Sequence, residues 1–509
     1  MKRIFAILLA TLMCLSFVGC RKSKPLGDNY AYLSDWEYED VEGETNNNTD
    51  KTTSNGKTTN KKSGKKNSNV NQNTNIDLGV TVPKGEYDFG GKTVRIAVWN
   101  DSTQPTLGKD EQTDAKYYAM HYAMQKYNVG AIEYKQMAKG SSAFNSAFVK
   151  YAASGDFWGD ITLEHTDYAK SHAQKGLIKN LKNSIGKIDN TKFNTDCYAV
   201  KGNIYGFSSK SAINMREAFL IYNTDLIKKN NLEDPQSVYS KGQWTWSKYQ
   251  EYVRTITDSN KDIFGMAIPN FHQLFNDPGI NRIYLDGDTY KSSHTGGPYK
   301  ANIDKIYNWI IEMYNEGSIL GDFLIGENAL SQSADSFRNG KVGFIFGTLD
   351  RCKTFKSEGL KNFSVVAAPT QNGEHKYYNQ SAHYSFYAIP SSSSNYSEEM
   401  LLAFCNDLFN TLDPSHGKAY YKVDENKYAD ELASSNVLNK KDATYLIELG
   451  KVTTAWYSES VFVNNSFQLA SEMLQPVLQG KSTWAKVTAQ YGPQHQADID
   501  KSINSNLYK

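Results

Sequence analysis

Residues 92–99 of this 509-residue chain read Lys-Thr-Val-Arg-Ile-Ala-Val-Trp, so polar and apolar side chains alternate before the segment becomes wholly apolar. A period of two predicts a β-strand, and the apolar end predicts burial on both faces. Thr113 and Asp114 are candidate caps for a helix that follows. Its apolar residues recur at helical spacing: Tyr117, Met120, Met124 and Tyr127.

The same alternation of strand and helix continues along the chain. A second strand is predicted at 131–137, a helix through Phe144, Phe148 and Tyr151 ends at Gly155, and a third strand covers 160–163. Repeated strand and helix units predict an α/β fold with a largely parallel sheet. Further helices are predicted at 246–256, 303–314 and 398–409, further strands at 218–222, 264–268, 342–346, 363–367 and 385–389, and mainly helix from about residue 442.

Composition limits the function classes. The chain has 56 basic and 55 acidic residues, a balance that gives no general attraction to nucleic acid. It is too long for one ordinary core, so at least two globular bodies are expected. It is rich in aromatic residues, with 34 Tyr, 23 Phe and 8 Trp. Most of these rings fill cores, but Tyr and Trp also suit polyhydroxylated ligands because they combine an apolar face with a polar group.

The first residues indicate export. Lys2 and Arg3 precede an apolar run at 4–17 that is too short to span a bilayer as a mature helix. Residues 15–20, Leu-Ser-Phe-Val-Gly-Cys, resemble a bacterial lipobox, although Phe17 stands where that pattern usually has Leu. The resemblance implies a signal peptide at 1–19, lipidation of Cys20 and a protein anchored at the outer face of the cell membrane. Plain secretion is the alternative.

Residues 20–87 are predicted to form a tether. Within them, residues 46–75 are almost entirely Asn, Thr, Ser, Lys and Gly, which cannot bury enough apolar surface to offset the entropy of ordering. A flexible chain of about 30 residues reaches roughly 30 Å on average. We therefore expect a mostly disordered spacer.

Cysteine and histidine give no sign of a metal or cofactor site. Beyond the signal and Cys20, the chain has Cys197, Cys352 and Cys405, which are widely spaced and form no C-x-x-C pattern. The nine His residues include no His-Glu-x-x-His. We expect no metal, no cofactor and no disulfide framework.

An ordered series of motifs resembles the family 1 extracellular solute-binding proteins. The motifs are Gly155-Asp156 with Lys175-Gly176-Leu177, Tyr222-Asn223-Thr224-Asp225-Leu226, Thr245-Trp246 with Phe264-Gly265, Phe337-Arg338-Asn339-Gly340-Lys341, and Ala388-Ile389-Pro390. Each motif alone is weak evidence for the family, whereas all of them in this order behind a lipobox are specific to it.

The resemblance implies a two-lobed, periplasmic-binding-protein-like α/β fold of the class II type, with crossing strands and a hinge. It implies lobe one at 88–217 plus 342–382 and lobe two at 218–341 plus 383–509. It further implies a monomer without enzymatic activity that captures a carbohydrate, such as an oligosaccharide, and delivers it to the permease subunits of an ABC transporter.

Ligands of α/β sheets bind beyond the carboxyl ends of the strands, so the candidate site residues follow predicted strands. Those of lobe one are Trp99, Asn100, Asp101, Glu164, His165, Asp167 and Arg216. The others are Gly347, Thr348 and Asp350, Asn270 with Phe271 and His272, His383 with Ser381 and Ala382, and Trp456 with Tyr457.

Other functions stay open at this point. A carbohydrate-active enzyme needs two carboxylates, which Glu164 and Asp167 offer, but the chain has no Gly-x-Ser-x-Gly turn and no phosphate-binding loop. A surface adhesin would repeat small β-rich units, and no repeat is present. Among solutes, a peptide, a polyamine or an amino sugar remains an alternative to a neutral sugar. Glu164 and Asp167 are the residues that keep a cationic solute or an amino sugar open.

Overall fold

A computed structural model describes residues 68–71, 76–100, 104–210, 218–267, 273–276, 278–320, 329–379, 385–455, 473–505 and 508. The predicted α/β class is confirmed by two five-stranded mixed sheets with helices packed on them. Within the described residues, every helix is too short or too polar to cross a membrane.

The strands are β1 Ser68–Asn71, β2 Thr93–Val98, β3 Ala131–Gln136, β4 Ile161–His165, β5 Phe193–Asn194, β6 Ala199–Val200, β7 Asn203–Ile204, β8 Ser208–Ser209, β9 Ala218–Asn223, β10 Phe264–Ala267, β11 Ile283–Asp286, β12 Thr289–Ser292, β13 Ile319–Leu320, β14 Val342–Thr348, β15 Phe363–Val366, β16 Tyr377–Asn379, β17 Ser385–Ala388 and β18 Thr453–Ala455.

The α-helices are α1 Glu111–Lys126, α2 Ser141–Ser154, α3 Thr166–Gln174, α4 Lys182–Ile185, α5 Thr224–Lys229, α6 Pro235–Ser240, α7 Trp246–Ile256, α8 Gln273–Asn276, α9 Lys300–Asn315, α10 Ala329–Arg338, α11 Leu349–Ser357, α12 Glu398–Leu408, α13 Glu425–Ser434, α14 Lys440–Lys451 and α15 Trp484–Ser502. Short 3-10 helices lie at Asp196–Tyr198, Ser259–Lys261 and Pro414–Ala419.

The first sheet has the strand order β1-β3-β2-β4-β17. Strands β3, β2 and β4 run parallel, whereas β17 is antiparallel to β4. The carboxyl ends of the three parallel strands therefore share one edge, where residues 99–100, 137 and 165–166 lie. We call the body built on this sheet lobe one.

The second sheet has the order β13-β10-β14-β9-β15. Strands β13, β10 and β14 are parallel, and β9 runs antiparallel to β14, with Thr348 opposite Ala218. The carboxyl end of β14 and the start of β9 thus lie at the same edge. We call the body built on this sheet lobe two.

Two segments belong to the opposite lobe from the one that the sequence predicted. Strands β14 and β15, which lie within 342–382, pair with β9 of lobe two, and β17, which lies within 383–509, pairs with β4 of lobe one. The expected assignment is wrong for these strands. Strand pairing between residues more than 100 positions apart decides the lobe, and local periodicity carries no information about such partners.

Two further expectations need correction. Helix α1 begins at Glu111, and its cap is Asp110, whose carboxylate accepts a hydrogen bond of 2.7 Å from the backbone N–H of Thr113. Strand β1 lies inside the stretch predicted to be disordered, and it pairs antiparallel with β3. An edge strand offers backbone donors and acceptors whatever the side chains of its partner, so a polar segment can pair there.

Each lobe has its own large cluster of buried apolar side chains. The lobe-two cluster surrounds Tyr249, Phe344 and Ile310, and one lobe-one cluster surrounds Ile96, Met124 and Phe404 on one face of the first sheet. The thiols of Cys352 and Cys405 are free and belong to these two cores, where burial raises the pKa of both. The side chain of Cys197 lies outside the described residues.

A third buried cluster joins lobe one to the hairpin β11–β12 and to the end of α15. It contains Phe148 and Trp158 of lobe one, Tyr290 of the hairpin, and Ile499 and Ile503 at the end of α15. The beginning of α15 belongs instead to the lobe-two cluster, through Trp484 and Val487. One helix therefore packs on both lobes.

Pro493 interrupts α15 between these two halves, and Gly492 precedes it. A proline inside a helix removes a backbone hydrogen bond and bends the helix. A Cβ atom at residue 492 would lie 2.9 Å from Cγ2 of Thr295, so glycine permits the close approach of α15 to the segment after β12. Pro493 thus lies between the half of α15 that packs on lobe two and the half that packs on lobe one.

Candidate functional site

Trp99 and His165 meet at the carboxyl edge of the lobe-one sheet. Their rings are 5.9 Å apart between centroids and lie edge to face. The backbone carbonyl of Trp99 accepts hydrogen bonds from Gln136 Nε2 at 3.3 Å and from the N–H of Gly140 at 3.2 Å. These contacts fix the turn after β2, so the structure brings together two of the predicted site residues.

The indole of Trp99 is half-buried, and its Nε1 atom is buried without an acceptor among the residues that the structure describes. A buried N–H without a partner costs free energy, and a ligand oxygen would remove that cost. Asn100 follows and is half-buried. Asp101 lies outside the described residues.

An aromatic series continues from His165 along α3. The ring of His165 lies 5.9 Å from that of Tyr168, which stacks on His172 at 6.3 Å. Tyr168 and His172 are four residues apart and therefore share one face of the helix. This series was missed from the sequence, although the i, i+4 spacing on a helix was a signal that could have found it.

Glu164 has a different environment from the one expected for a ligand-binding acid. Its side chain is 1% exposed, and its Oε2 lies 2.6 Å from Nδ1 of His172. The other ring nitrogen of His172 lies 2.7 Å from the side-chain oxygen of Asn145. Oε1 of Glu164 accepts a hydrogen bond of 3.3 Å from Thr162. The carboxylate therefore orients His172 inside lobe one instead of facing solvent.

The alternation of side chains along β4 explains this placement. Ile161 and Leu163 belong to the cluster on one face of the sheet. Thr162 lies on the other face with Glu164, and its hydroxyl accepts a hydrogen bond of 3.2 Å from the indole of Trp158. Asp167 is the second residue of α3, and its side chain lies outside the described residues.

At the corresponding edge of lobe two, Gly347 and Thr348 end β14. Gly347 is buried opposite Phe219, and a Cβ atom there would lie 2.5 Å from Cδ1 of Ile221. Glycine at this position therefore serves close packing. Thr348 is half-buried at the start of α11, and Asp350 is exposed in the first turn of that helix. Of these three, Thr348 and Asp350 present polar side chains at the edge.

The remaining predicted site residues lie outside the described residues, and their contacts with a solute stay predictions. They are Arg216, Asn270, Phe271, His272, Ser381, Ala382, His383, Trp456 and Tyr457. In the described part of the chain, no three His, Cys, Asp or Glu side chains are grouped so that they could hold a metal ion.

Solved structures of binding proteins share this fold. The sugar-binding protein MalE from the phytopathogen Xanthomonas citri is 15% identical, with a TM-score of 0.54 over 80% of this chain and 98% of that one. A sugar transporter protein from Rhizobium etli, in an open conformation, is 16% identical, with a TM-score of 0.54 over 80% of this chain and 99% of that one. These likenesses confirm the two-lobed fold.

An ABC substrate-binding protein from Listeria monocytogenes in complex with cycloalternan is 16% identical, with a TM-score of 0.50 over 81% of this chain and 99% of that one. A comparison with curated protein sequences found no match. The family described as bacterial extracellular solute-binding protein matches residues 119–407, more than half of the chain. This match confirms the resemblance found in the motifs and indicates an exported binding protein, not an enzyme. The chain belongs to the bacterial extracellular solute-binding proteins.

Proposed function

We propose that this protein captures a carbohydrate outside the cell and delivers it to the permease of an ABC transporter. The observation that carries the proposal is Trp99, whose ring lies edge to face with that of His165 at the carboxyl edge of the lobe-one sheet, and whose buried N–H has no acceptor within the described part of the chain. An aromatic face with a nearby donor is suited to the face of a sugar ring and to its hydroxyl groups. The similar solved structures support the same class, since one is described as a sugar-binding protein and another is in complex with cycloalternan.

A neutral sugar fits better than a cationic solute or an amino sugar. A cation requires a carboxylate that faces the solute, and Glu164, one of the two acids that favoured such ligands, is buried inside lobe one with its Oε2 2.6 Å from Nδ1 of His172. The polar groups described at the two edges include an indole, an imidazole, the amide of Asn100, a hydroxyl and one exposed carboxylate, that of Asp350. Hydroxyl groups of a sugar match this set.

Delivery would use closure of the two lobes around the solute. A solute favours closure only by the difference between its affinities for the closed and the open form. In this proposal lobe one comprises 88–210 with the segment around β17 and α12, and lobe two comprises 218–379 with the segment from α13 onward. The chain acts as a monomer that is attached to the membrane through a lipid on Cys20.

The solute class is tested by thermal unfolding of residues 20–509 with Cys20→Ser, in the presence of mono- and oligosaccharides, amino acids and polyamines. A sugar at 100 times its dissociation constant should add about 2.7 kcal/mol to the free energy of unfolding. Trp99→Ala should weaken that sugar's binding, whereas Trp309→Ala, which removes a half-buried indole on α9 of lobe two, should not. No stabilisation by any sugar, or turnover of one, would contradict the proposal.

The anchor is tested separately. Cys20→Ala in the full chain should move the protein from the membrane fraction to the medium or the soluble fraction. Retention of this variant on the membrane would show that another segment attaches the protein.

A further inference from the structure

The hairpin β11–β12 and the end of α15 form one unit, although they are distant in the sequence. The backbone N–H and the carbonyl of Tyr290 both bond to the side-chain amide of Asn504, each at 2.9 Å. The hydroxyl of Ser292 lies 2.8 Å from Nδ1 of His495, and its backbone N–H donates to Oε1 of Gln496 at 2.8 Å. We call this unit, residues 283–292 and 495–505, the clasp.

The clasp packs on lobe one. The carbonyl of Asn504 accepts a hydrogen bond of 2.7 Å from Nζ of Lys201, and the carbonyl of Ser502 accepts one from Nε2 of Gln174. Separation of the clasp from lobe one would break these bonds and bring buried apolar side chains into water, which is unfavourable. The clasp side chains in the cluster that contains Phe148 and Trp158 are Ile283, Tyr290, Ile499 and Ile503.

Three connections lead from the clasp into lobe two, and two of them contain a glycine followed by a proline. In α15, Gly492-Pro493 lies between the clasp and Tyr491, which packs on the lobe-two cluster. After β12, Gly296-Gly297-Pro298 lies between the clasp and Tyr299, which packs on the same cluster. The third connection is residues 281–282, directly before β11.

These connections lie side by side. A Cβ atom at residue 492 would lie 2.9 Å from Cγ2 of Thr295. The N–H of Ser293 donates to the carbonyl of Arg282 at 2.8 Å, so the third connection lies at the same place. A cavity of about 510 Å³, which Thr295 and Pro493 help to line, lies next to them between α9 and α15. Because close-packed regions resist deformation, a change of backbone angles is easier beside this space than in the core.

Glycine and proline make the two connections easy to bend. Pro493 has no N–H, so the carbonyl of Ala489 lacks its helical partner, and Gly492 has the lowest helix propensity of any residue except proline. Gly297 has a φ of +84°, and a Cβ atom there would lie 2.3 Å from Cζ of Tyr284. Hinges consist of a few residues that absorb changes in backbone angles, and these connections have that character.

We propose that the clasp moves with lobe one, and that Gly492-Pro493 and Gly296-Gly297-Pro298 form a second hinge between the lobes. The inference rests on the proposed closure of the lobes around a solute. During closure, lobe two rotates against the clasp at this hinge, while the clasp stays on the cluster around Phe148 and Trp158. Because the connections are short, they limit the separation of the lobes and so contribute to the equilibrium between open and closed forms.

Distances between pairs of spin labels test which lobe carries the clasp. The protein is residues 20–509 with Cys20→Ser and Cys197→Ser, since Cys352 and Cys405 are buried. Without solute, double electron–electron resonance should give a clasp–lobe one distribution at most half as wide as the clasp–lobe two and lobe one–lobe two distributions. The labels are placed on exposed residues, Ala143→Cys on α2 of lobe one, Asp288→Cys in the clasp and Ser247→Cys on α7 of lobe two.

A solute that closes the lobes should shift the clasp–lobe two and lobe one–lobe two distances and leave the clasp–lobe one distance unchanged. A shift of the clasp–lobe one distance with a constant clasp–lobe two distance would overturn the proposal, because the clasp would then belong to lobe two. Three equally narrow distributions without solute would overturn it too. If no sugar shifts any distance, the proposed function fails, and the distributions without solute still decide which lobe carries the clasp.

Variants at the two connections test the hinge itself. Pro493→Ala restores a helical N–H, and Gly296→Ala restricts the backbone at a position where a Cβ atom would meet no other atom within 4 Å. Each variant should narrow the clasp–lobe two distribution about twofold. Pro235→Ala, at the start of α6 in lobe two, is the matched control and should leave the distribution unchanged. If neither hinge variant narrows the distribution, the two glycine–proline connections are not a hinge.

Discussion

The indole of Trp484 stacks on the phenol ring of Tyr307, with centroids 3.9 Å apart and an angle of 21° between the planes. This pair attaches the first half of α15 to α9 of lobe two. The second half of the same helix, beyond Pro493, packs in the cluster that contains Phe148 and Trp158 of lobe one. The helix is therefore attached at both ends, with Pro493 between the attachments.

Removal of the stacked pair should detach α15 from lobe two. Trp484→Ala should lower the free energy of unfolding by about 3–5 kcal/mol, the usual cost of deleting a buried aromatic ring. Trp484→Phe keeps a ring but loses the 2.9 Å hydrogen bond to Asp304, so it should cost about 1 kcal/mol. Urea unfolding at equilibrium measures both changes. Equal effects of the two variants would show that ring stacking does not hold the helix.

The Glu164–His172 pair should matter for stability and not for solute binding. Glu164→Ala removes the partner 2.6 Å from Nδ1 of the buried His172 and should cost about 1–3 kcal/mol. Glu164→Gln preserves a hydrogen bond and should cost less. Calorimetry of Glu164→Gln with the sugar found by thermal unfolding should give an affinity close to that of the unchanged protein. If this variant lost much of its affinity for the sugar but none of its stability, Glu164 would be shown to contact the solute.

Packing at Gly347 should be sensitive to a single methyl group. The added Cβ of Gly347→Ala would meet Cδ1 of Ile221 at 2.5 Å, and such overpacking should cost about 1–3 kcal/mol. Ile221→Val removes the carbon that clashes, so the double variant should be more stable than the sum of the two single effects predicts. Chemical unfolding of the three variants tests this coupling, and strict additivity would show that the clash is relieved elsewhere.

Acid should destabilise the protein below about pH 6.5. Burial lowers the pKa of His121 and of His495 from 6.5 to about 4. Between these values the unfolded chain binds a proton that the folded chain does not, so stability is complete above pH 6.5 and is lost as the pH falls towards 4. Within that window, each of the two groups lowers the free energy of unfolding by about 1.4 kcal/mol for every pH unit of acidification.

Urea unfolding at intervals from pH 8 to pH 4.5 measures this loss. His121→Gln should give a shallower decline than the unchanged protein below pH 6.5, and the two curves should run parallel above it. An identical decline in both proteins would assign the acid sensitivity to other groups.

Local periodicity predicted most elements of the fold, because strands such as β2 and β14 and helices such as α7 and α9 bury one stripe or a continuous apolar run. It failed where the partner is distant in sequence, as for β17 on β4. At the site, the rule that ligands bind beyond strand ends selected Trp99 and His165, and the structure places their rings together at one sheet edge. Their contact with a solute stays a prediction. The alternation of side chains along β4 could have shown that Glu164 and Leu163 lie on opposite faces of the sheet. His172, eight residues after Glu164, is the residue that binds the Glu164 carboxylate.

The contact between α15 and lobe one also affects the order in which an exported chain can fold. Gln174 donates a hydrogen bond to the carbonyl of Ser502, 328 positions later, and Lys201 donates to the carbonyl of Asn504, 303 positions later. A chain that crosses a membrane unfolded, starting from its amino end, brings out residues 88–210 first. The cluster around Phe148 and Trp158 is then complete only after residues 499–508 have emerged, whereas the other lobe-one cluster is complete once residues up to about 409 are outside.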